Sequence, residues 1–151
     1  MEVKNKKAYF DYEILKEYEA GIELVGTEIK SVRKGSVDLK DSFVTIKDNE
    51  AYALNIYIAK YEEGNLFNHD ERRTRRLLLH KQEIKKLKEA KEKEGISIIP
   101  LKVYFKNNKA KILIGIGKGK KLYDKRESIK KRDLERETKS YYWKKEKVNK
   151  H

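Results

Sequence analysis

LKVYFKNNKAKILIGI, residues 101–116, contains two strands and the turn between them. Leu101, Val103 and Phe105 alternate with Lys102, Tyr104 and Lys106, so one face of the first strand is apolar. Asn107-Asn108 tolerates the positive φ of a tight hairpin turn, and Ala110, Ile112, Ile114 and Ile116 share one face of the returning strand. This is the clearest hairpin in the chain. Working back from it, residues His80 to Glu94 are strong helix formers in which Ile84 and Leu87 share a face, and Gly95 follows as a stop.

Further upstream, Phe43-Val44-Thr45-Ile46, the turn residues Asp48-Asn49 and the segment Tyr52 to Ile56 predict a second hairpin. A short helix is expected after Thr27, with Ile29 and Val32 on one side and Gly35 ending it in a left-handed conformation. Phe10, Tyr12 and Ile14 read as a first strand, Glu19-Ala20-Gly21 as a bend, and Ile22 to Val25 as a second short strand. Tyr61 to Glu71 reads as an exposed loop that delivers the chain to Arg72. Several short strands with a few helices define a mainly β protein. A small closed or partly open barrel would remove exposed strand edges, but the pattern does not rank it above a sandwich.

Charge divides the 151 residues into two parts. The chain carries 38 Lys or Arg against 25 Asp or Glu, a formal net charge of +13. Residues 118–151 hold 14 Lys or Arg against 6 Asp or Glu, so most of the excess sits in the last 34 residues. The expected organisation is a β domain over residues 1–117 and a basic tail over 118–151. A pI near 9.6 favours encounter with a polyanion. In the tail, Glu127 with Lys131 and Glu135 with Lys139 are acid-then-base pairs at helical spacing, and no proline interrupts 118–151. Such an arm is expected to be flexible when free and helical once its charge is neutralised. As a helix, residues 127–150 would span about 36 Å.

Without cysteine the chain can form neither disulfides nor thiolate metal sites. No apolar run is long enough to cross a membrane, and the first residues lack the apolar centre of a signal peptide, so a cytoplasmic protein is expected. Three histidines without ligand spacing imply no metal and no cofactor. The carboxylates Glu19, Glu23 and Glu28 have no nucleophile or orienting group read beside them, so no enzyme is expected. Gly115, Gly117 and Gly119 do not have the spacing of a phosphate-binding loop and read as a flexible exit from the last strand.

The sharpest local feature is Arg72-Arg73-Thr74-Arg75-Arg76 running into Leu77-Leu78-Leu79-His80. Guanidinium forks take two phosphate oxygens at once or stack on a base, and the leucines would anchor the run on the core. The alternative is a solvated cluster balanced by nearby Glu62, Glu63, Asp70 and Glu71. Tyr12, Tyr52 and Tyr104 fall at strand positions where packing is the ordinary role, whereas Tyr141-Tyr142-Trp143 lies in a segment with no visible core.

Seven stretches, in order, resemble the small protein B (SmpB) family, bacterial partners of transfer-messenger RNA. They are YEAG (18–21), GTEIKSVR (26–33), DSFV (41–44), NHD (68–70), RTRRLLLHK (73–81), PLKVYFKN (100–107) and GKGKK (117–121) followed by DKR (124–126). The resemblance implies an antiparallel β-barrel of the oligonucleotide-binding type with about three flanking helices. It also implies binding to the tRNA-like domain of transfer-messenger RNA (tmRNA), delivery to stalled 70S ribosomes, and entry of the tail into the decoding site and the empty message channel. Elongation factor Tu, acting through the alanyl-charged RNA, is implied as a further partner, and a monomer is expected.

By position, Glu19, Leu78 and His80 match family residues at the RNA elbow. The basic residues Lys30, Arg33, Arg73, Arg75, Arg76, Lys118, Lys120 and Lys121 of the matching stretches are the accompanying expected RNA contacts. Phe10, Asp124, Lys125, Arg126, Lys130, Lys131 and Arg132 fall to the decoding-site surface and the tail. Some relatives carry His where Phe10 stands and often Pro where Glu71 stands, so stacking survives at the first position and the loop at the second is less rigid. Two other classes remain open from the residues themselves. One is a ribosomal protein or RNA chaperone of similar charge; the other is an RNA-processing enzyme built on His69-Asp70.

Overall fold

The hairpin of residues 101–116 is the centre of a longer one. In the computed structural model, which describes residues 1–61 and 68–120, strand β8 runs Ile96–Lys106 and strand β9 runs Lys109–Gly119. Asn107 and Asn108 close the turn with φ of 52° and 62°, the left-handed pair that matches the twist of the two strands. The expected strand is extended backward through Pro100, where the register slips between Pro100 and Lys102. Proline has no N–H to donate to a ladder and is tolerated at such a bulge. Gly115, Gly117 and Gly119 lie within β9 rather than in a flexible exit. Gly115 allows close packing, since a Cβ there would stand 2.7 Å from Leu101 Cδ1 and the buried Leu101 side chain would have to shift.

On its other edge β9 pairs with β2, Tyr12–Ile22, one continuous eleven-residue strand. The expected bend at Glu19-Ala20-Gly21 is absent, because these residues keep their ladder to Lys111, Ile112 and Leu113. Phe10 lies not in a strand but in helix α1, Lys6–Asp11. Asn5 accounts for this switch: its Oδ1 caps the helix by accepting from Ala8 N–H, and its Nδ2 donates to the Leu39 and Pro100 carbonyls.

Strand β7, Arg75–Leu78, continues the sheet beside β2, and the hairpin of β4, Phe43–Lys47, and β5, Glu50–Leu54, completes it. With β1, Glu2–Lys4, the strand order is β1-β8-β9-β2-β7-β5-β4, every pair antiparallel. A separate two-stranded ribbon joins β3, Val37–Asp38, to β6, Tyr57–Ile58. The sheet is not closed by hydrogen bonds: β4 lies against β8 without a ladder. The outer edge of β8 is already taken, by β1 at Lys102 to Tyr104 and by the Asn5 N–H, which donates to the Leu101 carbonyl.

Alternation sends Val44, Ala51, Ala53, Leu77, Ile112 and Ile114 to the concave side, where they are fully buried with Ile56 and Val32. A smaller cluster of Ala8, Ile99 and Leu101 fastens α1 to the outer face. Helix α2, Gly26–Arg33, adds Val32 to the main core, and α3, Lys81–Lys91, adds Leu87. Each such side chain contributes roughly 1.5–3 kcal/mol on burial. The helix limits are narrower than expected at α3, whose first turn is capped from His80, and α2 starts before Thr27 rather than after it. Gly35 and Gly95, at φ of 77° and 79°, sit just past the two helices as expected. No helix among the described residues is long and apolar enough to cross a membrane.

Candidate nucleic-acid interface

Two surfaces form at opposite ends of β2. Near its C-terminal end, the start of α3, the end of β7 and the β8–β9 turn enclose a groove of about 800 Å³, lined by Glu19, Leu78, His80, Phe105, Lys109 and Lys111 among others. The ladder explains its wall. Gly21 faces Leu78 and Ile22 faces Leu77, so strand alternation turns Leu77 into the core and leaves Leu78 outward and 47% exposed. A Cβ on Gly21 would stand 3.2 Å from Leu78 Cβ, so the absent side chain lets Leu78 lie across the strand. His80 ends the same wall as the residue capping α3, its backbone N–H donating to Glu83 Oε1.

Glu19 projects from β2 into this groove. Tyr104 on β8 donates its hydroxyl hydrogen to Glu19 Oε2, and Lys106 Nζ lies 3.5 Å from Oε1. The Tyr104 hydrogen bond, helped by Lys106 and Lys111, holds the Glu19 carboxyl below its ordinary value. Partial burial and the Glu19 carboxylate together push the Tyr104 phenol up to about 12. Both groups therefore keep their ordinary neutral-pH forms, an ionised acceptor and a protonated donor. The sequence offered no sign of this pair, because 85 residues separate its members and Tyr104 reads as a packing aromatic.

The arginine run does not act as one cluster. In β7 the alternation buries Arg75, which is 0% exposed, and turns Arg76 out. Arg75 Nε donates to Glu28 Oε2 at 2.6 Å and Nη1 to the Ile56 carbonyl at 2.8 Å, while Nη2 reaches the Glu71 carbonyl at 3.2 Å. With every nitrogen engaged and no exposed surface, Arg75 has no group to offer a phosphate, which corrects its expected role as an RNA contact. Arg73 shares Glu28, with Nη2 at 2.7 Å from Oε1. Arg76 pairs outside with Glu23 at 3.0 Å and Glu50 at 3.1 Å, and Arg72 lies over the Tyr57 ring. Among the described residues the run is thus balanced by distant Glu28, Glu23 and Glu50, while Glu62 and Glu63 lie outside the described residues.

The remaining expected contacts are dispersed. On α2, Arg33 stacks on Phe105 at 4.5 Å and Lys30 lies over Tyr61 at 5.3 Å, both exposed. At the other end of β2, Tyr12 faces Gly119 and Glu13 faces Lys118, so Lys118 and Lys120 emerge beside α1 and Phe10. Lys120 is fastened there by its N–H to the Asp11 carbonyl. From Tyr12 to Glu19 an extended strand covers about 23 Å, which separates this surface from the groove. Lys121, Asp124, Lys125, Arg126, Lys130, Lys131 and Arg132 lie outside the described residues. Buried His69 is occupied structurally, with Nδ1 2.9 Å from Thr27 Oγ1 and Nε2 2.9 Å from the Ile58 carbonyl, which leaves no free nitrogen for the chemistry considered at His69-Asp70.

Fold and groove together define a basic, antiparallel β protein whose groove is lined by carboxylates and cations, Glu19 and Glu83 with Lys109 and Lys111. The model of one family, described as SmpB protein, matches residues 2–144. The chain belongs to the SmpB family. It is 59% identical over 134 residues to the SsrA-binding protein of Ligilactobacillus salivarius (strain UCC118), covering 89% of this chain and 86% of that protein. The SsrA-binding protein of Bacillus pumilus (strain SAFR-032) is 58% identical over the same shares. A solved chain described as "tmRNA-SmpB: a journey to the center of the bacterial ribosome" superposes with a TM-score of 0.69 at 49% identity, covering 80% of this chain and 85% of that one.

Proposed function

We propose that this protein is the tmRNA-binding factor of trans-translation, which brings tmRNA to stalled ribosomes and rescues them. The observation that carries the reading is identity of 54–59% to SsrA-binding proteins across nearly the whole of each chain. It acts by binding RNA and is not an enzyme. The groove of Glu19, Leu78 and His80 is the seat proposed for the tRNA-like domain, with Lys30, Arg33, Arg73 and Arg76 supplying positive charge around it. Phe10, Lys118 and Lys120, at the far end of β2, are proposed to face the decoding centre, from which residues 121–151 continue into the empty message channel. In this reading residues 1–117 are an oligonucleotide-binding barrel whose seam, between β4 and β8, is packed rather than hydrogen-bonded, and 118–151 are a separate ribosomal probe. The protein works in the cytoplasm as a monomer, with elongation factor Tu joining through the alanyl-charged RNA.

Competition binding tests the reading. Binding of the full chain to tmRNA should survive a hundredfold excess of an unrelated hairpin RNA at fixed salt, because phosphate contacts alone do not discriminate between RNAs. Parity between the two RNAs would mark a general RNA chaperone instead. Truncation before Glu127 should leave tmRNA affinity within about threefold while abolishing tagging on stalled ribosomes in a reconstituted translation system. Loss of both together would make the tail the main RNA clamp.

A further inference from the structure

We propose that Tyr104 and Lys106 hold Glu19 as a two-point acceptor for the Watson–Crick edge of one unpaired guanine, with the exposed face of Leu78 beside it as an apolar seat for the base. This inference deepens the RNA-binding reading above and rests on it. Glu19 lines the groove with Leu78, His80 and Lys111, so the carboxylate and the apolar surface serve one cavity. A carboxylate offers about four lone-pair sites. Tyr104 takes one on Oε2, and Lys106 approaches Oε1 at 3.5 Å, so each oxygen keeps a further lone pair.

Two oxygens side by side, each able to accept once more, select for two adjacent donors. Among the four RNA bases only guanine presents them, its N1–H and its N2 amino group. Adenine and cytosine each place an acceptor nitrogen next to their single amino donor, and uracil places its N3–H between two carbonyl oxygens. Any of these would press a lone pair against one carboxylate oxygen, which costs affinity because the group left facing it is unpaired. An unstacked base in a loop exposes this edge, whereas a paired one does not.

Tyr104 is a positioning residue here. It comes from a strand two places away in the sheet, across β9, and its ring is half-buried, so its hydroxyl fixes one rotamer of an otherwise free glutamate. Lys106 acts in the same direction but more weakly, since both partners of that pair are open to solvent.

The test uses the full chain and transcripts of the tRNA-like domain in which single unpaired guanosines are replaced by inosine, which lacks only the N2 amino group. At one position inosine should weaken wild-type binding about tenfold, the loss of one hydrogen bond to a charged acceptor. In Glu19→Gln that penalty should shrink below about twofold. In Tyr104→Phe it should fall between the two, with overall affinity several-fold weaker. Both variants are near-isosteric, so circular dichroism melting should leave them folded. A wild type that fails to discriminate the tRNA-like domain from an unrelated hairpin overturns the RNA-binding reading and this inference with it. Discrimination that persists while no inosine position distinguishes wild type from Glu19→Gln overturns this inference alone.

Discussion

Glu28 and Glu19 are the same side chain put to opposite uses. Glu28, fully buried at the start of α2, receives four donors: Arg73 Nε and Nη2, Arg75 Nε, and the Val25 N–H at 2.9 Å. That fills the acceptor capacity of a carboxylate. Glu19, exposed on β2, has one firm partner, Tyr104, and one loose one, Lys106. Burial of a charge is tolerated only with complete pairing, and complete pairing leaves nothing for a ligand. Solvent lifts that requirement at Glu19, so the groove keeps acceptors free. The same contrast separates Arg75 from Arg76, neighbours on opposite sides of β7.

The largest effect that can break this comparison is on stability. Glu28→Ala or Arg75→Ala should destabilise the protein by about 3–5 kcal/mol, the range for stranding one partner of a buried ion pair. Glu19→Gln should stay within about 0.5 kcal/mol of wild type. Denaturant titration followed by circular dichroism measures all three. A Glu28→Ala protein as stable as wild type would mean that the buried network holds nothing together.

Acid sharpens the comparison by a smaller margin. Burial alone would raise the Glu28 carboxyl, but hydrogen bonds from Arg73, the Val25 N–H and Arg75 outweigh it and hold the group below its ordinary value of 4.5. The folded value being the lower one, the stabilisation from Glu28 is complete above the ordinary carboxylate range and is lost as pH falls through the folded value. Unfolding free energy measured against pH should therefore decline on the acid side in the wild type and decline less steeply in Glu28→Gln. Parallel acid limbs in the two proteins would remove Glu28 from the account.

Much of the scaffold was legible because it is written locally. The turns at Asp48-Asn49 and Asn107-Asn108 take the positive φ that their residue types allow, and Gly35 and Gly95 stop their helices. What misled was local pattern overruled by distant partners. Phe10 and Tyr12 alternate like a strand, yet Asn5 turns the first of them into a helix with bonds to residues 39 and 100. Glu19-Ala20-Gly21 looks like a bend, yet its glycine serves Leu78 across the ladder. The groove residues Glu19, Leu78 and His80 came from family resemblance, and Tyr104 from neither pattern nor resemblance. In the arginine run a period of two was present all along, Arg75 and Leu77 inward, Arg76 and Leu78 outward. It could not be read while charge argued for a solvated surface, because the compensating Glu28 lies 45 and 47 residues away from Arg73 and Arg75.

The smallest expected effect concerns Arg76, and it asks whether the outward half of that alternation meets RNA. Its ion pairs with Glu23 and Glu50 are open to solvent, with 41% of the Arg76 side chain exposed, and solvent screening leaves such pairs little to contribute to stability. Arg76→Ala should therefore lower stability far less than Arg75→Ala, with a denaturation midpoint close to wild type. A pair this weak yields readily to a phosphate, which a guanidinium binds with two parallel hydrogen bonds. Each phosphate contact releases counterions, so its loss flattens the dependence of log affinity on log salt by about 1. Measured on tmRNA across a salt series, Arg76→Ala should show that flatter slope with a modest, sequence-independent loss of affinity. If the slope matches wild type, Arg76 serves only its two glutamates, and the outward face of β7 meets RNA through Leu78 rather than through charge.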